Sequence, residues 1–182
     1  MDTQSHLGLT SRSLHWIIAI GFIALSLIGI YMANTEAFAL YPIHKSTGII
    51  LFVVILLRGF WRLKQGWPAP VGQYQKIEQL LAKLTHWILL LGTLAMPITG
   101  MLYSGMSGHG FGIFGLTLVQ SNDDPELPGE VIPYNELLSA IGEQSHEIIG
   151  YTLVVAIVLH IVGACKHHFL DKDRTLLRML GK

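Results

Sequence analysis

Nine histidines stand out in this chain of 182 residues. Five of them lie in or beside long apolar segments: His15, His44, His86, His146 and His160. A histidine inside a membrane segment is costly unless it is paired, coordinated or lining a cavity, so the five require a shared explanation. Neutral imidazole is a common ligand of metal ions and an axial ligand of haem iron. The histidines therefore predict metal or haem chemistry within an apolar environment.

The spacing of His146 and His160 predicts two sites on one helix. Fourteen residues give about 21 Å of helical rise and end about 40° short of four full turns. The two side chains then face the same way at two depths, and one helix can serve two stacked cofactors. We expect His44 to complete one site. Three histidines, His15, His86 and His160, are available for the two ligand positions of the other site. The spacing alone does not choose between them.

Two glycines follow histidines at helical spacing. Gly48 and Gly150 each lie four residues after a histidine, on the same helix face, where they would leave a flat gap for a macrocycle. A contact between helices through small residues explains these glycines equally well. Zinc is the main competitor, but a tetrahedral site needs several converging ligands. The histidines divide into two groups, and Cys165 is the single cysteine. Two bis-histidine haems are favoured over a transporter of divalent metals or a structural role.

The composition indicates the elements that hold these histidines. Hydrophobic residues make up 51% of the chain and charged residues 13%, with a mean hydropathy of +0.50. Soluble domains carry about 25% charge, so this composition excludes an ordinary soluble protein and a nucleic-acid partner. A helix that spans the lipid bilayer needs about 20 apolar residues. The sequence predicts an all-α integral membrane four-helix bundle, a single domain over 1–182, with spans at about 14–33, 43–61, 84–103 and 146–165.

The charges predict the orientation of these helices. Eleven of the 12 basic residues group with the two termini and the loop between the second and third spans; we call this the basic end. Its members are Arg12, Arg58, Arg62, Lys64, Lys76, Lys83, Lys166, Lys172, Arg174, Arg178 and Lys182. The acidic end holds Lys45 with Glu36, Asp123, Asp124, Glu126, Glu130, Glu136, Glu143 and Glu147. Because basic loops stay inside, we expect both termini in the cytoplasm and the acidic end in the periplasm.

The connecting segments carry weaker signals. GWPAPVGQYQ, at 66–75, predicts a turn region, and KIEQLLAKL, at 76–84, predicts a short amphipathic stretch at the membrane surface. The Gly- and Pro-rich loop over 104–145 contains NELLSAIGEQ, which predicts a short surface helix. Arg58 lies 14 residues after His44 and corresponds in depth to His160. A haem propionate would suit Arg58, and so would an anchoring role at the membrane surface.

Several motifs resemble the bacterial cytochrome b561 family. They cover the chain from Ser11 to Leu180, and the most specific are the pair of histidines 14 residues apart and the C-terminal tail. The matching segments are SLHW at His15, IHKSTG at His44, THW at His86, HEIIGY at His146, VLHIVGACKHH from His160, and DKDRTLLRML. These family members are four-helix, di-haem b proteins of the bacterial inner membrane, related to the cytochrome b subunits of formate dehydrogenases and nickel–iron hydrogenases.

The resemblance implies a set of ligands. His44 and His146 would bind the iron of the outer haem b, and His15 and His160 the iron of the inner one. His86 would then have no iron, and would border the inner haem or a quinone pocket, or bond to a backbone carbonyl. Two axial histidines leave iron no open position, so the haems would carry electrons.

The resemblance also implies a reaction. Members of the family resemble superoxide:ubiquinone oxidoreductases, which predicts an enzyme that oxidises superoxide at the periplasmic side and reduces ubiquinone. His167 is the candidate quinone ligand or proton donor, or else part of an ordinary basic flank. Lys45, beside His44, is the candidate for attracting superoxide, although the eight acidic residues of the same end would repel this anion. The other role for Lys45 is an anchor at the membrane interface. The alternatives are a cytochrome b membrane anchor that takes electrons from a docked periplasmic redox partner, and a histidine-lined metal transporter.

Overall fold

Four long helices form the protein. The computed structural model describes residue 2 and residues 6–66, 71–72 and 74–182. The long helices are α1 (Leu9–Thr35), α2 (Tyr41–Gln65), α3 (Lys76–Met106) and α4 (Glu136–Phe169), followed by the short α5 (Thr175–Leu180). Each long helix forms or lies within a segment long and apolar enough to cross a membrane. The predicted four-helix membrane fold is therefore confirmed.

All four long helices begin before the predicted spans, and α3 and α4 do so by the largest margins. The segment 76–84 is the first part of α3, and NELLSAIGEQ contributes the first turns of α4, so neither is the separate element expected from the sequence. Hydropathy marks only the part of a helix that lies in hydrocarbon, whereas backbone hydrogen bonding continues into water. The side chain of Asn135 caps α4 by accepting a hydrogen bond from the Leu138 N–H at 2.9 Å. Residues 67–70 and 73 of the predicted turn lie outside the described residues.

Glycines set the close packing of α3 against α4. At Gly142 an added Cβ would lie 2.5 Å from the backbone nitrogen of Tyr103, so the two backbones touch. Gly150, predicted to leave a gap for a macrocycle, instead lies against the Met96 side chain, because the helix contact occupies that space. Four such contacts follow one another in antiparallel order: Gly92 with Leu153, Met96 with Gly150, Gly100 with His146, and Tyr103 with Gly142.

The helices associate as two pairs, α1 with α2 and α3 with α4. Close backbone contacts between the two pairs are few, so the pairs meet mainly through side chains. A buried apolar cluster fills the middle of this interface: Ile18, Phe22, Leu51, Ile55 and Leu153. The core of the bundle is therefore a thin apolar layer at mid-depth.

A β-hairpin covers the acidic end, in a loop for which the sequence analysis predicted no strand. Strands β1 (Phe111–Ile113) and β2 (Leu116–Val119) pair antiparallel. Phe114 and Gly115 join them with φ values of 43° and 94°, the conformation of a two-residue type I′ turn. The hydroxyl of Ser46 in α2 accepts from the Phe114 N–H at 3.0 Å, which attaches the hairpin to the bundle.

Side-chain hydrogen bonds join both termini to the same end of the bundle. They connect the start of α1 with the end of α2, the start of α3 with the end of α4, and α1 with α5. The pairs are Trp61 Nε1 with Ser11 Oγ at 2.8 Å, Lys166 Nζ with Glu78 Oε1 at 2.7 Å, and Trp16 Nε1 with the Met179 carbonyl at 3.0 Å. The basic end defined by the sequence is therefore one surface of the folded protein.

Candidate functional site

The first histidine pair joins α2 to α4 near the acidic end. The rings of His44 and His146 are half-buried, with centroids 6.3 Å apart and planes inclined by 81°. His146 Nδ1 lies 3.0 Å from the carbonyl oxygen of Met96, so Nδ1 carries the proton and donates. The other ring nitrogen of His146, Nε2, then has its lone pair free for a metal ion. A hydrogen bond of this kind fixes the orientation of a metal-binding imidazole.

Two glycines on other helices make space for this pair. An added Cβ on Gly100 would lie 2.9 Å from Cε1 of His146, and one on Gly29 would lie 3.4 Å from Cε1 of His44. The sequence analysis did not identify either glycine. Each lies on a different helix from the histidine that it accommodates, and its role depends on how the helices pack.

The second pair joins α1 to α4 near the basic end. The rings of His15 and His160 are half-buried, with centroids 6.3 Å apart and planes inclined by 68°. His86 also contacts His160, edge to face, but at a centroid distance of 5.3 Å. The ring of His86 is exposed and forms a hydrogen bond with the backbone of Ala82. The structure thus brings three histidines together at this end. The ring of His15 lies as far from the ring of His160 as the ring of His44 lies from that of His146.

The geometry of both pairs fits an iron ion held between two imidazoles. A metal–nitrogen bond of about 2.0 Å, with the ring centroid about 1.1 Å further on, puts two coordinated rings about 6.2 Å apart. Both pairs match this separation, whereas His86 and His160 are too close together. In addition, the Nδ1 atoms of His15 and His44 are buried without a hydrogen-bond partner in the described part of the chain. The imidazoles of His15 and His44 therefore lack a protein partner at this nitrogen among the described residues, and imidazole is a ligand that haem b takes.

The same geometry fits zinc poorly. A structural zinc site has four ligands, and a catalytic one has three from the protein. Within residue 2 and residues 6–66, 71–72 and 74–182, neither histidine pair gathers a further His, Cys, Asp or Glu into a metal-binding group. Gly48 has open space where a side chain would lie, as the haem hypothesis expects beside His44.

An apolar layer separates the two pairs. Leu153 lies seven residues from both His146 and His160, about 10 Å of helical rise from each. It is fully buried and packs with the central cluster that includes Phe22 and Leu51. The two sites are therefore stacked through the bundle with hydrocarbon between them, at the spacing predicted from the sequence.

Arg58 lies at the second pair. Its guanidinium is half-buried and interacts electrostatically with His15, His86 and His160. A cation at this position is suited to hold an acidic group of a cofactor close to the histidines.

Lys45 lies at the edge of a groove between α2 and the hairpin. Its half-buried Nζ donates to the carbonyl of Gly110 at 3.1 Å, so the hairpin fixes the ammonium group next to His44 in the chain. The groove has a volume of about 490 Å³, and its walls include Tyr41 and the exposed His109. An ammonium group at this position provides local positive charge at an otherwise acidic end.

His167 lies in a cluster of polar side chains at the basic end. Its Nδ1 is 3.0 Å from a carboxylate oxygen of both Asp171 and Asp173. The hydroxyl of Tyr74 donates to Asp173 at 2.7 Å, and the Tyr74 ring contacts the His167 ring with centroids 4.7 Å apart. Sequence reasoning identified His167 but missed Tyr74 and Asp173, since Tyr74 lies almost 100 residues before Asp173.

The cluster changes the acidity of two of its members. Burial by itself would raise the pKa of the Asp173 carboxyl. Hydrogen bonds from Tyr74 and from the Thr175 N–H outweigh burial and lower this pKa below its usual value of 3.8. Burial, together with the bond to Asp173, raises the pKa of the Tyr74 hydroxyl. The carboxylate therefore stays charged and the phenol stays protonated at neutral pH.

Comparison with known proteins identifies relatives over most of the chain. The family model described as prokaryotic cytochrome b561 matches residues 6–182. Cytochrome b561 homolog 2 of Escherichia coli K12 is 30% identical, over 100% of this chain and 94% of its own length. Cytochrome b561 homolog 1 of the same organism is 27% identical, over 95% and 96%. A probable superoxide oxidase CybB of Yersinia pestis is 32% identical, over 77% of this chain and 74% of its own length.

Proposed function

The chain belongs to the prokaryotic cytochrome b561 family, whose members bind haem b and transfer electrons in the membrane, and from this premise we propose that it is a superoxide:ubiquinone oxidoreductase. The observation that carries the electron-transfer part of the proposal is the geometry of two histidine pairs. The ring centroids are 6.3 Å apart in both pairs, one pair lies near each end of the bundle, and α4 contributes one histidine to each. Residues 1–182 then form a single di-haem domain.

The four half-buried histidines have one role in this proposal. His44 and His146 would hold the haem at the acidic end, and His15 and His160 would hold the haem at the basic end. When bound, each haem b supplies an iron ion that accepts and releases one electron. Because each haem would take two histidines from the protein, the haems would carry electrons and not bind oxygen. Arg58 holds a propionate at the basic end.

The superoxide half of the reaction is supported by a relative and by one cation. The relative named as a probable superoxide oxidase covers three quarters of this chain. Lys45, held by the hairpin carbonyl of Gly110, attracts the anion toward His44. The reaction is balanced when two superoxide anions lose one electron each and become oxygen, while ubiquinone takes up two electrons and two protons and becomes ubiquinol.

The quinone half of the reaction uses the cluster at the basic end. His167 provides a hydrogen bond to the quinone, and Asp173 with Tyr74 orients its ring. An imidazole can both donate and accept a proton, which suits a residue that passes protons to a reduced quinone. The exposed Asp171 connects this cluster to water.

The charge distribution supports a location in the bacterial inner membrane. Because basic loops remain in the cytoplasm, the basic end with both termini is cytoplasmic and the acidic end is periplasmic. Superoxide is then oxidised in the periplasm, and the protons for ubiquinol come from the cytoplasm.

A second candidate function rests on the acidic end itself. Its eight carboxylates repel an anion and suit a basic protein, so a membrane anchor that takes electrons from a docked periplasmic redox protein is the alternative. Isolation of the chain with a stoichiometric basic redox protein would favour this alternative. The histidine-lined transporter is not favoured, because the chain belongs to a family of cytochromes.

The test uses proteoliposomes that contain the purified, haem-loaded protein and ubiquinone. Superoxide is generated outside, and ubiquinol formation is followed by absorbance, with superoxide dismutase as the control. We expect ubiquinol to form only with superoxide present and protein inserted, at one ubiquinol for two superoxide anions. No ubiquinol above the protein-free rate would overturn the superoxide assignment.

A further inference from the structure

A second groove lies at the basic end, between α1 and the short C-terminal helix α5. Its volume is about 700 Å³. Apolar side chains form its walls, and the walls are open: Leu9 is 72% exposed, Ile20 65% and Ile17 52%. None of the residues assigned to the redox reaction lines this groove.

One cation lies in this apolar groove. Arg12 lines it, and its guanidinium lies directly over Gly181, where any side chain would collide with it. The Nε of Arg12 is buried and has no hydrogen-bond partner within the described residues. A buried guanidinium nitrogen without an acceptor is unfavourable, and an anionic group in the groove would satisfy it.

Trp16 holds the groove in shape. Its indole nitrogen donates to the carbonyl of Met179 at 3.0 Å, which fixes α5 against the start of α1. Tryptophan prefers the boundary between hydrocarbon and headgroups. The groove thus combines a cation and a tryptophan with an apolar channel formed by Ile17 and Ile20, which continues along α1 toward the middle of the membrane.

We propose that this groove is a binding site for an anionic phospholipid. The phosphate is held by Arg12, and an acyl chain lies along Ile17 and Ile20. Basic pockets between helices on the cytoplasmic side of membrane proteins bind anionic headgroups in this way. Ubiquinone fits less well, because a neutral quinone does not neutralise Arg12. The proposal does not depend on the electron acceptor or donor of the protein.

The experiment is native mass spectrometry of the haem-loaded protein in detergent, titrated with phosphatidylglycerol or phosphatidylcholine. We expect the wild-type protein to prefer phosphatidylglycerol, and Arg12→Gln to weaken that binding about fivefold without changing the binding of phosphatidylcholine. Arg12→Lys, which retains the charge, should keep the preference. Ile20→Trp, which fills the channel, should weaken the binding of both lipids.

Lys64→Gln is the matched control, because Lys64 is an exposed cation at the same end that does not line the groove. It should bind both lipids as the wild-type protein does. Equal binding of the two lipids by the wild-type protein would overturn the proposal, and so would an unchanged preference in Arg12→Gln. Displacement of phosphatidylglycerol by equimolar ubiquinone would assign the groove to the quinone and also overturn it.

Discussion

Gly100 lies directly against the imidazole of His146, where an added Cβ would be 2.9 Å from Cε1. The same ring donates from Nδ1 to the carbonyl of Met96, one helical turn before Gly100. The glycine and the carbonyl together determine where the ring lies and which of its nitrogens is free. The orientation of His146, a proposed haem ligand, therefore depends on a neighbouring helix.

Replacing Gly100 with valine should remove one of two haems. The branched side chain displaces the ring of His146 and breaks its bond to Met96, because the α3–α4 contact has no spare space. We expect the haem content to fall from about two to about one per chain. The measurement is the pyridine haemochrome assay against protein concentration.

Gly59→Val provides the control for this substitution. Gly59 lies on α2 with open space where a side chain would be, so the variant should keep both haems. If Gly100→Val also retained both haems, His146 would not be held as described here.

His86 and His15 should respond differently to replacement. His15→Ala should leave about one haem per chain, because it removes one of the four proposed haem ligands. His86→Ala should keep both haems and change the reduction potential of the haem at the basic end, since its ring contacts the ring of His160. Potentiometric titration of the reduced absorption band separates the two effects. Loss of a haem in His86→Ala with both retained in His15→Ala would reverse the ligand assignment.

Lys45 should control the salt dependence of the reaction with superoxide. Attraction by an ammonium group is screened by salt, so the wild-type rate should fall as ionic strength rises. Lys45→Met should lower the rate at low salt by about threefold and remove this dependence. Stopped-flow haem reduction by superoxide measures both quantities, with Lys64→Met at the opposite end as the control. A wild-type rate that is unchanged or increased by salt would exclude the role of Lys45.

Asp173 should make stability depend on pH. Its folded-state pKa is lowered, so its contribution is complete above the unfolded value of 3.8 and is lost as pH falls through the folded value. Its carboxylate also accepts from the Thr175 N–H at the start of α5, a contact worth about 1 kcal/mol. Asp173→Asn keeps an acceptor oxygen but loses the charge that strengthens this contact, so it should lower the Tm at pH 7 by about 1–2 °C.

Thermal unfolding from pH 7 downward provides the check. The difference in Tm between wild type and Asp173→Asn should persist to about pH 5 and close below pH 3.8. Asp171→Asn is the matched control, because Asp171 contacts Lys166 and His167, whereas the N–H of Thr175 bonds to Asp173. A difference that widens as the pH falls would contradict the lowered pKa of Asp173.

The sequence predicted the features that depend on spacing along one helix. Four apolar segments gave the four-helix membrane fold, and the 14-residue separation of His146 and His160 placed two sites on one face of α4. It left the choice between His15 and His86 open, because that choice depends on how α1 and α3 approach α4. In the structure, the ring centroid of His15 lies 6.3 Å from that of His160, and the ring centroid of His86 lies 5.3 Å from it.

Features that depend on contacts between distant segments were beyond prediction. Gly100 accommodates a ring that lies 46 positions later in the chain, and Tyr74 meets Asp173 only because α3 and α4 are antiparallel. The hairpin escaped notice because it has seven strand residues and a two-residue turn, too short a pattern to distinguish from loop. Gly150 had two explanations, and packing against Met96 is the one that the structure shows.

The haem content of the wild-type protein and of single histidine variants is the decisive measurement for the two-pair assignment. The purified wild-type protein should show a reduced b-type spectrum with about two haems per chain. Replacement of any one of His15, His44, His146 or His160 by alanine should leave about one. A colourless protein that binds only zinc, or a wild-type protein with a single haem that survives loss of His44 and His146, would contradict the assignment.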